Sequence, residues 1–121
     1  MALTKTNTVV HNSITLTAGG GDTTSSDQDL SAVYRTVARI RITNGATGPT
    51  VQAQCKVQIA EDTTGANYMT LATLSGGTLA NAVSEYAVEI PDAAEHLRFV
   101  SGSNTVQDVT LRVVIEKVTA L

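Results

Sequence analysis

The residues able to do chemistry in this chain are few, and their spacing assembles little of it. His11 and His96 are the two histidines. A transition-metal site needs further His or Cys ligands at short spacing, and neither histidine has them. Both read as ordinary surface or turn residues. Asp22, Asp27 and Asp29 outline a faint calcium loop, but EF-hand spacing and the closing glutamate are missing. A solvated loop is the better reading, with a non-EF-hand calcium loop as the alternative. The run Gly19-Gly20-Gly21 lacks the lysine and the following helix of a phosphate-cradling loop, so it reads as a connector. Cys55 is the single cysteine and has no partner for an internal disulfide. It lies on the apolar side of an alternating segment, where a thiol is a small hydrophobe and inert unless a neighbour lowers its pKa. There is no Gly-x-Ser-x-Gly elbow and no Ser/His/Asp set that the strands would bring together. The sequence therefore predicts no enzyme, no cofactor and no metal.

One concentration of charge stands out. Arg35, Arg39 and Arg41 alternate with Thr36, Ala38, Ile40 and Ile42. If the isoleucines point into a core, the guanidiniums line the outer face of one strand. Such a row is expected to pair with Glu or Asp across the sheet, which contributes little to stability. Its functional alternative is an anionic patch on a partner protein, which arginine grips through its fork of donors.

The elements that must carry these residues are strands. Val51, Ala53, Cys55, Val57 and Ile59 alternate with Gln52, Gln54, Lys56 and Gln58, giving one dry and one wet side. Asn44-Gly45-Ala46-Thr47-Gly48-Pro49 separates this run from the Tyr34–Ile42 run, and its turn chemistry predicts a hairpin joining them. A long last strand carries Val109, Leu111, Val113 and Ile115 inward. Thr8 to Leu16 gives a weaker first strand, with Val10, Ile14 and Leu16 on one side. Further strands are predicted at Tyr68–Leu74, Val83–Ile90 and Leu97–Ser101, separated by the turn clusters Glu61–Gly65, Ser75–Gly77 and Gly102–Asn104. Pro91–Glu95 suits one short helical turn. The segment Ala18–Ser31 looks least ordered. About seven or eight strands with no long helical period predict an all-β, antiparallel β-sandwich, jelly-roll-like, over residues 8–121. Residues 1–7 read as an N-terminal arm that orders on docking.

Bulk properties narrow the partners. The chain has 121 residues, 42% hydrophobic and 16% charged, which suits one soluble globular domain. Aromatic residues are only 3%, so the core must be built from aliphatic side chains, and oligomerisation would help it. A net charge of −3 argues against nucleic acid or an anionic membrane as partner. No secretory h-region and no long apolar run occurs, which predicts folding in a cytoplasm.

Several segments together resemble small structural proteins of tailed bacteriophages. They are the opening Met-Ala-Leu-Thr-Lys-Thr-Asn-Thr-Val, the Gly-rich loop with Asp29-Leu30-Ser31, Arg39-Ile40-Arg41-Ile42-Thr43-Asn44-Gly45, and Leu97-Arg98-Phe99 before a long terminal strand. Within that group the chain is most similar to head decoration, or cement, proteins. The resemblance implies a non-enzymatic virion protein on the capsid surface, assembled in the bacterial host cytoplasm. Its implied partners are the major capsid protein and further copies of itself, as a dimer or trimer. It supplies no catalytic or ligand residue. The expected partner contacts are Thr4, Lys5 and Thr6 of the N-terminal segment, the 18–31 loop, and Arg35, Arg39 and Arg41. The alternatives are a tail or fibre docking module and a carbohydrate-binding β-sandwich, the latter poorly served by a chain with no tryptophan.

Overall fold

A computed structural model describes residues 3–61 and 67–120 of the chain. The strands in chain order are β1 (Thr4–Leu16), β2 (Thr23–Thr24), β3 (Gln28–Asp29), β4 (Arg35–Asn44), β5 (Gln54–Ala60), β6 (Met69–Ser75), β7 (Val83–Ile90), β8 (His96–Gly102) and β9 (Val109–Ala120). They form two antiparallel sheets. One is four-stranded, in the order β1-β9-β4-β7; the other is five-stranded, in the order β2-β8-β5-β6 with β3 also paired to β8. Because β2 and β3 lie one after the other along β8, they act as a single interrupted strand. Every connection except the one between β5 and β6 then crosses from sheet to sheet, which is the order of a jelly roll.

Period-2 alternation builds the core between the sheets. From β4 and β9 come Ala38, Ile40, Ile42, Leu111, Val113 and Ile115; from β5 and β8 come Cys55, Val57, Ile59, Leu97 and Phe99, all buried. Each large aliphatic residue contributes roughly 1.5–3 kcal/mol on burial before chain ordering is set against it. Phe99, fully buried, is the one phenylalanine in the sequence.

The predicted hairpin between β4 and β5 does not form. β4 pairs with β7 and β9, while β5 pairs with β6 and β8. The dry faces of the two runs meet across the core instead of lying side by side. The connection is held by Asn44, whose Nδ2 donates to the carbonyls of Gly77 and Leu79, each at 2.9 Å. Gly48 is obligatory there, because a Cβ would sit 1.8 Å from the Thr78 carbonyl oxygen. The strand itself starts at Gln54, so Val51 lies in the connection and is half exposed. Tyr34, at the start of the Tyr34–Ile42 run, is likewise exposed.

Three further expectations change. β1 begins at Thr4, not Thr8: Thr4 pairs with Ala120, Lys5 with Val118, Thr6 with Lys117 and Asn7 with Glu116. Residues 4–7, read as an arm, therefore have strand partners on β9. The 18–31 segment is tied down along β8. The Ser25 amide donates to the Phe99 carbonyl at 2.8 Å, and the Phe99 amide donates to the Ser25 hydroxyl at 2.9 Å. Both histidines are buried, not surface residues. The turn cluster beyond Glu61 falls outside the described residues. Pro91 accepts a bond from the Ala94 amide at 3.0 Å, closing a single turn.

Candidate interaction surfaces

The outer face of the sheet β1-β9-β4-β7 gathers the arginines. Arg35, Arg39 and Arg41 project from β4 at alternate positions, each paired with a glutamate. Arg35 reaches Glu89 at 3.6 Å, Arg39 reaches Glu116 at 3.1 Å, and Arg41 reaches Glu85 at 2.9 Å. The sequence missed a fourth member, Arg112 of β9, which stands directly opposite Arg41 in the ladder. Like charges in that position repel. Arg41 turns away to Glu85 on β7, and Arg112 turns the other way, donating to Asn12 Oδ1 at 2.7 Å. A shallow concavity of about 810 Å³ runs between them, with Asn7, Ser13 and Glu116 also on its walls. Four guanidiniums meet three carboxylates here, on a chain whose net charge is −3.

The structure brings only some of the expected contact residues to this face. Lys5 and Arg35 both pair with Val118, from opposite sides of β9, which puts their backbones about 10 Å apart on the same face. Thr6 shares the ladder row of Lys117 and buried Thr36, so it takes the other face. Thr4 lies beyond a register shift at the far end of β1.

A second surface is formed by the loops at one end of the sandwich. The β4–β5 and β8–β9 connections are stitched together: the Thr50 amide donates to the Thr105 carbonyl at 3.2 Å, the Thr105 amide to the Val51 carbonyl at 3.2 Å, and the Val51 amide to Thr105 Oγ1 at 3.1 Å. The β6–β7 connection joins through Asn44, as described, and through the Asn81 amide, which donates to Gly45 at 2.8 Å. On this end Val51 is 50% exposed, Leu79 74% and Val106 66%. Val106 also has a φ of 75°, a region that β-branched residues rarely enter. Val51 reads in the sequence as the first residue of the β5 dry row, and no alternation marks Leu79 or Val106.

Asp22 is exposed, and most of the other chemistry-bearing groups are inward or bound. Burial pushes the Cys55 thiol up to about 11, with an opposing hydrogen bond involving Ser101. His11 is held below its ordinary value by burial, and its Nε2 has no partner among the described residues. His96 Nδ1 lies 2.7 Å from Asp27 Oδ2, fastening the 18–31 segment to β8. Asp29 accepts the Ser31 amide at 2.9 Å, which lowers its pKa. Among the described residues no three His, Cys, Asp or Glu side chains gather as a metal site. The tyrosines offer little platform for a sugar ring. Tyr34 is exposed, whereas Tyr68 lies under Arg98 at 4.0 Å and Tyr86 donates to the Ser75 carbonyl at 2.6 Å.

No family model and no curated protein matches the chain. Solved structures do share its fold. A chain of the Gx strain of infectious bursal disease virus superposes with a TM-score of 0.58 at 10% identity, over 97% of this chain and 32% of the viral one. A Bacillus endospore appendage protein, from a family of disulfide-linked pili, gives 0.58 at 10% identity, over 100% and 93% of the two chains. The SPBc2 prophage-derived protein YomS gives 0.51 at 17% identity, over 96% of each. The chain thus spans about a third of the viral chain and nearly the whole of the other two. At these identities the likeness is one of fold: a jelly roll of this size stands alone in some of these proteins and as one part of a larger chain in another.

Proposed function

We propose that this chain is a non-enzymatic structural protein of a bacteriophage virion, a decoration or cement protein that binds the outer shell and strengthens contacts between major capsid subunits. The observation that carries this reading is the jelly roll itself, similar over nearly its full length to a prophage-derived protein and, as a domain, to part of a viral particle protein. The internal chemistry supports the same direction. The buried thiol is raised to about 11, the arginine row is ion-paired, and the polar side chains inside serve to tie loops together. The mechanism is area burial at subunit junctions, multiplied over many symmetric copies. The arginine face supplies specificity and orientation more than affinity, because exposed pairs are individually weak.

The deciding experiment is the copy number of this chain in purified particles, by quantitative mass spectrometry against the major capsid subunit. A ratio near one per capsid subunit, or a simple fraction of it, is the expected result. The likeness to an appendage protein supports a second reading, a tail or fibre component. A handful of copies per particle would favour that reading, and absence from particles would overturn both.

A further inference from the structure

The outer face of the β1-β9-β4-β7 sheet is the positive part of an acidic chain. Among the described residues it carries Lys5, Arg35, Arg39, Arg41 and Arg112 against Glu85, Glu89 and Glu116. These are five of the chain's eight basic residues but three of its eleven acidic ones. The face therefore has an excess of two positive charges, and the remainder of the chain an excess of five negative ones. Arg41 and Arg112 stand opposite each other, a placement that weakens the ladder, and Arg112 has only the neutral Asn12 to bind. The ion pairs also leave most of each fork unused. Glu85 accepts from Nε of Arg41 and Glu116 from Nη1 of Arg39, out of five N–H donors on each guanidinium.

The concavity between these forks is a trough with small aliphatic residues, Val114 and Ala87, on its floor. Both lie in the ladder row of Arg39. The one aromatic residue lining the trough is Tyr86. Its hydroxyl goes to the Ser75 carbonyl in the opposite sheet and its ring packs against the core. A sugar would find donors and acceptors here but no ring to stack on. A polypeptide fits better. Arg39 and Arg41 are two residues apart on one strand, so their Cα atoms are about 7 Å apart, the repeat of alternate side chains in any extended peptide.

We propose that this trough binds an extended acidic segment of another protein through two carboxylates at alternate positions, one held between Arg41 and Arg112 and the next by Arg39. Guanidinium forks grip carboxylates well, and two carboxylates match the excess charge of the face. The methylenes of the acidic side chains would cover Val114 and Ala87. A second copy of this chain is a poor occupant. Its acidic stretch, Asp22 to Asp29, is tied along β8, with Asp27 on His96 and Asp29 on the Ser31 amide. The choice of a protein partner deepens the docking role given to this face in the virion reading and rests on that reading. The charge and the spacing do not.

The test titrates the isolated, nitrogen-labelled protein with a capped peptide of sequence Gly-Thr-Glu-Val-Glu-Thr-Gly, followed by amide resonances. Those of Arg39, Arg41, Arg112 and Val114 should shift, with a dissociation constant of about 1 mM or tighter that weakens several-fold between about 0.05 and 0.5 M sodium chloride. The peptide with both glutamates replaced by glutamine should not bind. A peptide with the two glutamates adjacent should bind at least about threefold more weakly, because one carboxylate then points away. Arg112→Gln should weaken binding about fivefold while leaving the thermal midpoint unchanged or higher, since a like-charge pair is relieved. Lys56→Gln, which removes the same charge from the outer face of the opposite sheet, should leave binding unchanged. Absence of shifts, shifts centred on the opposite sheet, or an equal loss in Lys56→Gln would overturn the proposal. So would trigalacturonate binding the same residues as tightly as the peptide, which would assign the trough to an acidic glycan. A salt-sensitive dimer of the protein alone that shields these residues would assign it to a second copy and overturn the proposal as well. Failure here leaves the copy-number result standing, and a chain absent from particles that still binds the peptide would keep this site and lose the virion role.

Discussion

The carboxamide of Asn104 donates to the Leu16 carbonyl at 2.9 Å, joining the end of β1 to the loop before β9 across 88 residues of sequence. Its other Nδ2 hydrogen reaches the Gln107 carbonyl, also at 2.9 Å. Asn104 is itself in the interior; its bond to Leu16 is buried and its bond to Gln107 partly so. Asn104→Ala should destabilise the protein by about 2–4 kcal/mol, since each buried partner left unmade costs roughly 1–3 kcal/mol. Urea denaturation monitored by circular dichroism measures this directly. A loss under about 1 kcal/mol would mean that the two carbonyls find other donors.

His11 gives the stability a pH dependence of definite sign. Burial lowers its pKa in the folded state below the ordinary 6.5 that the unfolded chain retains. The unfolded state therefore binds the proton first. The full contribution is present above about pH 6.5 and is lost as the pH falls from there through the folded-state value. His11→Gln should show a smaller drop in urea midpoint between pH 7.5 and pH 5 than the wild type. Equal drops would exclude His11 as the source.

Cys55 should be silent in the native protein. With its thiol raised to about 11 and no exposed surface, it should not react with a disulfide reagent at pH 8 on the timescale of minutes. In concentrated urea it should react at once. A fast native reaction would show that β5 opens locally.

Arg41 and Glu85 form the shortest ion pair of the arginine face, yet both side chains are more than half exposed. Glu85→Gln should change stability by less than about 1 kcal/mol, and by less still in high salt. The double variant Arg39→Glu, Arg41→Glu should keep the fold and reduce attachment to particles. Undiminished attachment would remove this face from the docking surface.

Much of the architecture was legible because alternation reports which side of a strand is dry. Ile40 and Ile42, Cys55 and Val57, Leu111 and Val113 all face the core as their spacing requires. Alternation does not report which strand lies alongside. The Asn44–Pro49 segment has every local mark of a hairpin turn, but the choice between pairing and crossing over is made by contacts with Gly77, Thr78 and Leu79, some thirty residues on. His11 was misread for a different reason. Register shifts between Val9 and His11, and between His11 and Ile14 with Ser13 at a φ of 54°, break the parity that would have turned it outward. For the candidate surfaces, the arginine row was visible as spacing. The loop tip was not, since it is assembled from connections whose neighbours are set only by the fold.

Those same irregularities in β1 have a consequence for colloidal behaviour. β1 is an edge of its sheet, thirteen residues long, and a straight edge of that length is a template for another chain's backbone. The shifts at Val9–His11 and His11–Ile14 kink it, so an approaching strand meets matched donors and acceptors only over short runs. Lys5 adds a charge near its start. The interrupted edge thereby resists uncontrolled sheet growth along its length.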